Sequence, residues 1–381
     1  MLPLSGIRVL DFSTLLPGPL ASLLLAEAGA EVIKVERPGS GDDMRGYEPQ
    51  LDGTGAGFGL LNRGKRSLAL NLKDANAVDA LLQLAATVDV VIEQFRPGVM
   101  DRLGLGWDAF RSANPRLIFC SISGYGQRGD NSQVAGHDLT YAADTGLLSL
   151  ASTKDGTPVM PPTLIADIGG GALPAVINIL LALRRREQTG EGCHLDIPMA
   201  DNLFLFSFWG LAAGFGAAKW PRPGKELLTG GSPRYGIHRA SDGRYIAAAP
   251  LEDKFWQAFC ETIGLPAHLR DDATDPAATL QAVAECIGSR PSSFWEQAFS
   301  RVDACCRVVR SLEEAAADPG FAARGLFDRR VFVGRRELPA LPLPLDPKLR
   351  DPVRSAPAPG VGVDNQLVKR PVTEFDKPFT L

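Results

Sequence analysis

The sequence predicts an α/β fold built on an open parallel sheet and joined to a smaller domain. Three observations carry this prediction. Short apolar runs alternate with helix-forming stretches, the order of a parallel sheet whose crossovers are helices. The 381 residues exceed the roughly 150 of a common domain, which suggests two. Charged residues make up 22% against 45% hydrophobic, so a core can be buried without disulfides or a structural metal, and disorder is excluded as the main state.

The elements follow in chain order. Ile7 to Phe12 is strand-like, Pro17-Gly18-Pro19 punctuates it, Leu20 to Ala28 forms a helix stopped by Gly29, and Glu31 to Val35 returns as a strand. A second round places a strand over Ser67 to Leu72, Asp74 as the cap of a helix with Val78, Leu81, Leu82 and Ala85 on one face, and a strand over Asp89 to Ile92. Leu117 to Ser123 adds another strand. Between Arg37 and Arg66 lie eight glycines with little periodicity, either a functional loop over a ligand or a flexible surface insertion. Asn202 to Ala218 is uncharged, apolar and glycine-containing, too short to span a bilayer, and reads as a buried helix.

Composition then shifts to proline, glycine and charge over Lys219 to Pro233, which marks a linker after a large domain of residues 1–218. Arg234 to Ala249 folds back at Ser241-Asp242-Gly243 like a hairpin and opens a small domain of residues 234–325. Phe255, Trp256, Phe259 and Ile263 stripe its first helix as core residues. Residues 326–381 form a return segment, extended and proline-rich from Leu338 to Pro359.

Forty basic and 44 acidic residues leave a net charge of −4, without the basic excess that phosphate-backbone binding exploits, so no nucleic-acid partner is expected. The six cysteines lack zinc-ligand spacing and fit a reduced cytoplasmic protein. No targeting signal is visible, and no membrane partner or metal is expected.

Gly124-Tyr125-Gly126-Gln127-Arg128-Gly129 matches the G-x-G-x-x-G pattern after a strand. The polar Asp130-Asn131-Ser132-Gln133 that follows opens no apolar helix, so the helix N-terminus needed for a pyrophosphate is missing and nicotinamide binding is set aside. Ala166-Asp167-Ile168-Gly169-Gly170-Gly171 leads into an apolar helix. Asp167 there is either a helix cap or a base or nucleophile, and the three glycines serve either helix packing or an oxyanion. Gly136-His137-Asp138 opens another helix over Leu139 to Thr145; an imidazole near neutral pH serves as acid or base, or simply bonds at a helix start. His194, His238 and His268 have no comparable surroundings and read as structural or exposed.

The blocks PLSGIRVLDFSTLLPGPLASLLLAEAGAEVIKVERPG, NRGKRSLALNLK, FRPGVMDRLGLG, SGYGQRG, AGHDLTYAADTGLL, ADIGGGALPAVINILLAL, SDGRYIAAAPLEDKFW and VDACCRVV, taken together and in order, resemble the family III (CaiB/BaiF) CoA-transferases and, within them, the alpha-methylacyl-CoA racemases. The resemblance implies a Rossmann-like large domain built from both chain ends, a small domain inserted between them, an interlocked homodimer, and an acyl-CoA substrate. No cofactor is implied beyond the CoA moiety. His137 and Asp167 match the family's paired acid and base, and Glu252 matches a glutamate supplied across the dimer, although Asp253 replaces the usual proline beside it. Glu252 also fits the first turn of its own helix. CoA contacts carry over to Arg37, Lys65, Leu70, Asn71, Leu72, Arg96, Gly124, Tyr125 and Gly126, with Arg66 nearby. As cations and glycine loops near strand ends, these suit a phosphorylated carrier.

Two chemistries fit. Racemisation of a 2-methylacyl-CoA needs a base on one face of the α-carbon and an acid on the other, here His137 and Asp167, with the Gly169 to Gly171 amides as candidates for holding the enolate oxygen. Asp138 would orient His137 or cap its helix. CoA transfer would instead use Asp167 as nucleophile and form a mixed anhydride. His137 favours racemisation, since the resembling transferases usually carry a non-basic residue there. A non-catalytic CoA-ester binder is the third class.

Overall fold

The computed structural model describes residues 1–153, 155–353 and 355–368. The chain divides into two compact units. The first holds Met1–Thr145, Thr163–Leu205 and the chain from Gly320 on; the second holds Gly146–Pro162 and Phe206–Pro319. Composition alone sets the boundary at Lys219 and leaves Gly146–Pro162 in the large domain. The difference arises because contacts, which need no change in composition, assign such segments.

In the first unit β1 (Arg8–Asp11), β2 (Glu31–Glu36), β3 (Arg66–Ala69), β4 (Val90–Glu93), β5 (Ile118–Ser123) and β6 (Cys193–Pro198) form one parallel sheet in the order β3-β2-β1-β4-β5-β6. Leu10 sits between Ile33 and Val91, and all three are buried, as in a sheet covered on both faces. Strand order reverses between β1 and β4, which leaves a crevice beyond the carboxyl ends of the strands.

The crossover helix α1 (Pro17–Glu27) begins three residues before the expected Leu20, because the prolines form its first turn, where a missing N–H costs nothing. Helix α2 (Ala75–Ala85) is capped by Asp74, whose Oδ1 accepts the Asn76 N–H at 3.0 Å. Helices α3 (Asp138–Asp144) and α4 (Leu173–Thr189) precede β6. Helix α4 packs on β5 and β6 through Ala175, Ile179, Ala182 and Leu183, and leaves Ile177, Leu180 and Leu181 exposed. With the turn before it, Ala166–Thr189 is long and apolar enough to cross a membrane by length and composition alone.

The glycine-rich stretch after β2 is a folded insertion, pinned by ions withdrawn from water. Lys34 Nζ lies 2.8 Å from Asp42 Oδ2 and donates to the Ser13 carbonyl at 2.7 Å, with both ionic side chains fully buried. Arg45 grips Glu36 through two bonds of 2.7 Å, and Arg63 pairs with Glu27 at 2.9 Å. The return segment ties the insertion and β3 down. Arg329 reaches Glu27 at 2.8 Å, the Ser67 N–H donates to Asp364 at 2.9 Å and the Ala69 N–H to Asn365 at 2.8 Å. The large unit is thus built from both chain ends; positions 369–381 of the return segment lie outside the described residues.

In the second unit β7 (Gly236–Arg239), β8 (Tyr245–Ala248) and β9 (Cys306–Val308) make an antiparallel sheet in the order β9-β8-β7. Helices α5 (Asp253–Ile263), α6 (Pro276–Gly288) and α7 (Ser292–Ser300) cover one face. Trp256, Phe259 and Ile263 of the predicted stripe are core, packed with Val283, Trp295 and Phe299. The Asn202–Ala218 tract corrects the reading of one buried helix. It breaks at a 3₁₀ turn over Phe204–Ser207, and Leu205, Phe208 and Phe215 are 73%, 68% and 79% exposed. The buried positions of its helix over Phe208–Ala217 are Gly210 and Gly214, which lie against Pro221 and the Trp220 ring, so the local chain and not a domain core covers this helix.

Removing one partner of a fully buried pair strands the other's charge, at a cost of about 3–5 kcal/mol. Lys34→Met is therefore expected to lower the urea midpoint sharply, and Lys34→Met/Asp42→Asn to recover part of the loss. Unchanged midpoints in both variants would contradict the role assigned to this pair.

Candidate active site

The carboxyl ends of β2 to β5 carry most of the residues singled out from sequence. Arg37 follows β2, exposed and ion-paired with Asp43. Leu70, Asn71 and Leu72 follow β3, and the Leu70 N–H is held by the Glu36 carbonyl at 3.0 Å. Arg96 follows β4 and is exposed. Gly124, Tyr125 and Gly126 follow β5, with the Gln127 N–H donating to Asp196 Oδ2 at 2.9 Å. No helix opens there before α3, so the dinucleotide pattern lacks its helix.

Lys65 is a correction. Its side chain is fully buried, and its ammonium donates to Ser22 Oγ at 2.7 Å, Asn62 Oδ1 at 2.8 Å and the Pro19 carbonyl at 2.9 Å, with Asp11 at 3.4 Å. Burial pushes its ionisation down to about 7. A lysine so enclosed supports the first strand–helix turn and has no reach to a phosphate. Its neighbour Arg66 pairs with Glu31 at 2.9 Å.

His137 and Asp167 start two helical segments of the same unit. The imidazole residue is exposed at the head of α3, where its backbone N–H donates to Thr140 Oγ1 at 2.9 Å. Asp167 is half-buried in a π-helical turn, Ala166–Ala172, that runs into α4. Such turns recur at functional sites. Asp138 links the two. Its buried Oδ1 accepts the N–H of Ala166 at 2.7 Å and of Asp167 at 2.9 Å. The sequence offered Asp138 as an orienter of His137 or as a cap; in the structure it caps the partner helix, a bond across 28 positions that no local spacing announces.

This arrangement sets the electrostatics of Asp167. Burial, then the negative charge of Asp138, raise its carboxyl to about 6, while His137 pulls the other way. Tyr141 stands among these charges: its hydroxyl donates to the Gly136 carbonyl at 2.8 Å, and both Asp167 and Arg96 act on it electrostatically. Its ring meets Tyr125 edge-on at 5.3 Å. A Cβ on Gly124 or Gly136 would come within 2.6 or 2.4 Å of the Tyr141 ring, so glycine at both positions lets the two loops close on it. Tyr141 was missed from sequence; its only signal is a place one helical turn beyond His137.

The glycine triplet has a packing role. A Cβ on Gly170 would lie 2.5 Å from the Met199 carbonyl, and the Gly170 carbonyl accepts Asn202 Nδ2 at 2.8 Å. The first amides of the turn are taken by Asp138. These are the amides of Ala166 and Asp167, ahead of the glycine triplet. Glu252 precedes α5 in the second unit, whereas His137 and Asp167 belong to the first. Its neighbour Asp253 pairs with Arg234 at 2.6 Å. His194 stacks on Trp107 and bonds Ser121 Oγ at 2.9 Å, a structural role as expected.

Comparison with known proteins returns one family. The family model described as CoA-transferase family III matches residues 4–365. The chain is 37% identical over 316 residues to the alpha-methylacyl-CoA racemase of Mus musculus, covering 82% of this chain and 79% of that one. It is 32% identical over 342 residues to the acetyl-CoA:oxalate CoA-transferase of Acetobacter aceti, covering 85% of each. A crystal structure of a CaiB/BaiF family protein from Brucella suis superposes with a TM-score of 0.83 at 26% identity, over 97% of this chain and 98% of that one.

A carboxyl raised from 3.8 to about 6 binds a proton in the folded state before it does in the unfolded state. Its burden on stability is full above pH 6 and is relieved as pH falls through 6 towards 4. Asp167→Asn is expected to stabilise the fold by roughly 1–3 kcal/mol at pH 8 and by progressively less down to pH 4. A stability difference independent of pH over that range would contradict the assigned environment.

Proposed function

The chain belongs to the family III CoA-transferases, an enzyme family, and on that premise we propose that it racemises or epimerises the α-carbon of a 2-methylacyl-CoA thioester. The observation that carries this reading is the pairing of His137 with a carboxyl brought to about 6 at Asp167. An acid–base group works best when its ionisation lies near the operating pH. One of the two removes the α-hydrogen as a proton, leaving the electron pair delocalised onto the thioester oxygen as an enolate. The other delivers a proton to the opposite face. Asp138 holds the Asp167 backbone in place and sustains its raised ionisation.

Arg37, the Leu70-Asn71-Leu72 segment, Arg96 and the Gly124-Tyr125-Gly126 loop would receive the CoA moiety, since they follow adjacent strand ends at the crevice where α/β sheets bind ligands. The substrate supplies the only cofactor moiety in this scheme. Glu252 is retained as the residue a second copy would add beside His137 in an interlocked homodimer. The exposed Ile177, Leu180 and Leu181, spaced along one face of α4, support such an assembly. Six unpaired thiols suit the cytoplasm.

The second reading is CoA transfer. There Asp167 attacks the thioester carbonyl and expels CoA as the thiolate, forming a mixed anhydride. The thiolate attacks the Asp167 carbonyl and releases the donor carboxylate, leaving CoA as a thioester on Asp167. The acceptor carboxylate then attacks that thioester, and the freed thiolate attacks the acceptor carbonyl of the resulting anhydride, giving the new acyl-CoA and restoring Asp167. The 32% identity to an acetyl-CoA:oxalate CoA-transferase favours keeping it.

In deuterated water without an acceptor acid, the protein is expected to wash the α-hydrogen out of a 2-methylacyl-CoA. His137→Ala and Asp167→Asn should each slow exchange by about 10² or more while CoA-ester affinity stays within a few-fold. Acceptor-dependent CoA transfer without exchange would establish the second reading instead, and bound ester with neither reaction would mark a binder.

A further inference from the structure

The first unit holds a small polar cavity of about 210 Å³ next to the loop that follows β4, with Glu93, Arg96, Trp107, Ser121, Gln127 and His194 in its lining. Parallel register sets Glu93 beside Ser121 and Ser121 beside Asp196, so the three side chains leave one face of the sheet. Glu93 is only 4% exposed. The Ser121 hydroxyl bonds its carboxyl, and the Ser121 oxygen lies 2.9 Å from His194 Nε2. Among the described residues no lysine or arginine is ion-paired with Glu93. Burial pushes its carboxyl up to about 7 against the hydrogen bonds of Ser121 and Phe95, and Asp101 and Asp196 add to the rise. Two places earlier on the same face stands the apolar, buried Val91. An acid without a cation at the end of a core strand burdens the fold, so a return elsewhere is expected.

The local chain shows where that return lies. Glu93 Oε2 accepts the Phe95 N–H at 2.8 Å, which closes a turn directly after β4. Phe95 packs against the core of the unit. Arg96-Pro97-Gly98-Val99 follows as a type II turn, with proline second, Gly98 third at φ 80°, and the Val99 N–H donating to the Arg96 carbonyl at 3.1 Å. Gln133 Nε2 donates to the Pro97 carbonyl at 3.1 Å, from the segment that leads into His137. The Arg96 side chain is exposed and has no ion pair among the described residues. Its place is therefore set by the backbone on either side of it, and Glu93 fixes the side nearest the sheet.

We propose that Glu93 is a positioning residue for substrate binding: its carboxyl group holds the Phe95 peptide so that Arg96 meets the anionic part of a CoA ester. Glu93 itself touches no substrate atom. The inference rests on the CoA-ester reading of the site. Either ionisation state of the carboxyl leaves an oxygen for the amide, so a glutamine can do the same work.

Calorimetric titration of the full-length protein with free CoA tests this. Glu93→Met, which keeps the volume and loses the acceptor, should weaken CoA by about fivefold or more, and Glu93→Gln should stay within about twofold of the parent. Glu93→Leu takes the place of Glu93→Met should that variant fail to fold. Arg96→Ala should weaken CoA by about tenfold, and Glu93→Met added to Arg96→Ala should weaken it no further, because the two act through one contact. Parental affinity in Glu93→Met would overturn the proposal, as would an equal loss in Glu93→Gln, or a Glu93→Met loss of the same size with and without Arg96. A parent protein that binds no CoA would instead sink the CoA-ester reading, and this inference with it.

Discussion

The buried carboxylate of Asp138 accepts the N–H groups of Ala166 and Asp167, and through it the helix that begins after His137 is locked to the one that carries Asp167. Three consequences follow from that bridge. It satisfies amides that would otherwise be left bare at a half-buried helix start. It fixes the spacing of an imidazole and a carboxyl that stand 30 positions apart in the chain. And it sets a negative charge beside Asp167, which together with burial brings that group to about 6. One side chain thus positions both groups and adds its charge to the effect of burial on Asp167.

Beneath the crevice the sheet is held by charges withdrawn from water. Burial alone would push the Asp11 carboxyl up, but Lys34 and Lys65, together with hydrogen bonds from Ser13 and Ser22, hold it below its ordinary value. Lys34 also pairs with Asp42 and so anchors the insertion that follows β2. Such networks add little net stability compared with an apolar core, yet they penalise any arrangement in which one ion loses its partner. Here they fix where β1, α1 and the insertion meet, at the reversal of strand order.

The fold was legible because its signals are local. Asp74 before a helical stripe, the run from Glu31 and the turn at Ser241-Asp242-Gly243 each specify their own element within a few residues. The catalytic candidates were legible as residue types in short blocks. Other features depend on distant partners. Lys65 reads as a ligand-facing cation, because its position after a glycine does not reveal that Ser22, Asn62 and Pro19 close around it. Asp138 reads as an orienter of His137 or a local cap, because its acceptor role lies across 28 positions. The Asn202–Ala218 tract reads as buried because hydropathy registers apolar side chains without saying whether anything covers them, and Phe208 and Phe215 are largely bare within this chain.

If the Asp138 bridge exists to hold two groups around one carbon, the most direct measurement is a crystal structure of the protein with a non-exchanging 2-methylacyl-CoA analogue. The account predicts the α-carbon within about 3–3.5 Å of reacting atoms of both His137 and Asp167, on opposite faces of the thioester plane, as a near-attack arrangement requires. An α-carbon approached by only one of them, or by both from the same face, would contradict it.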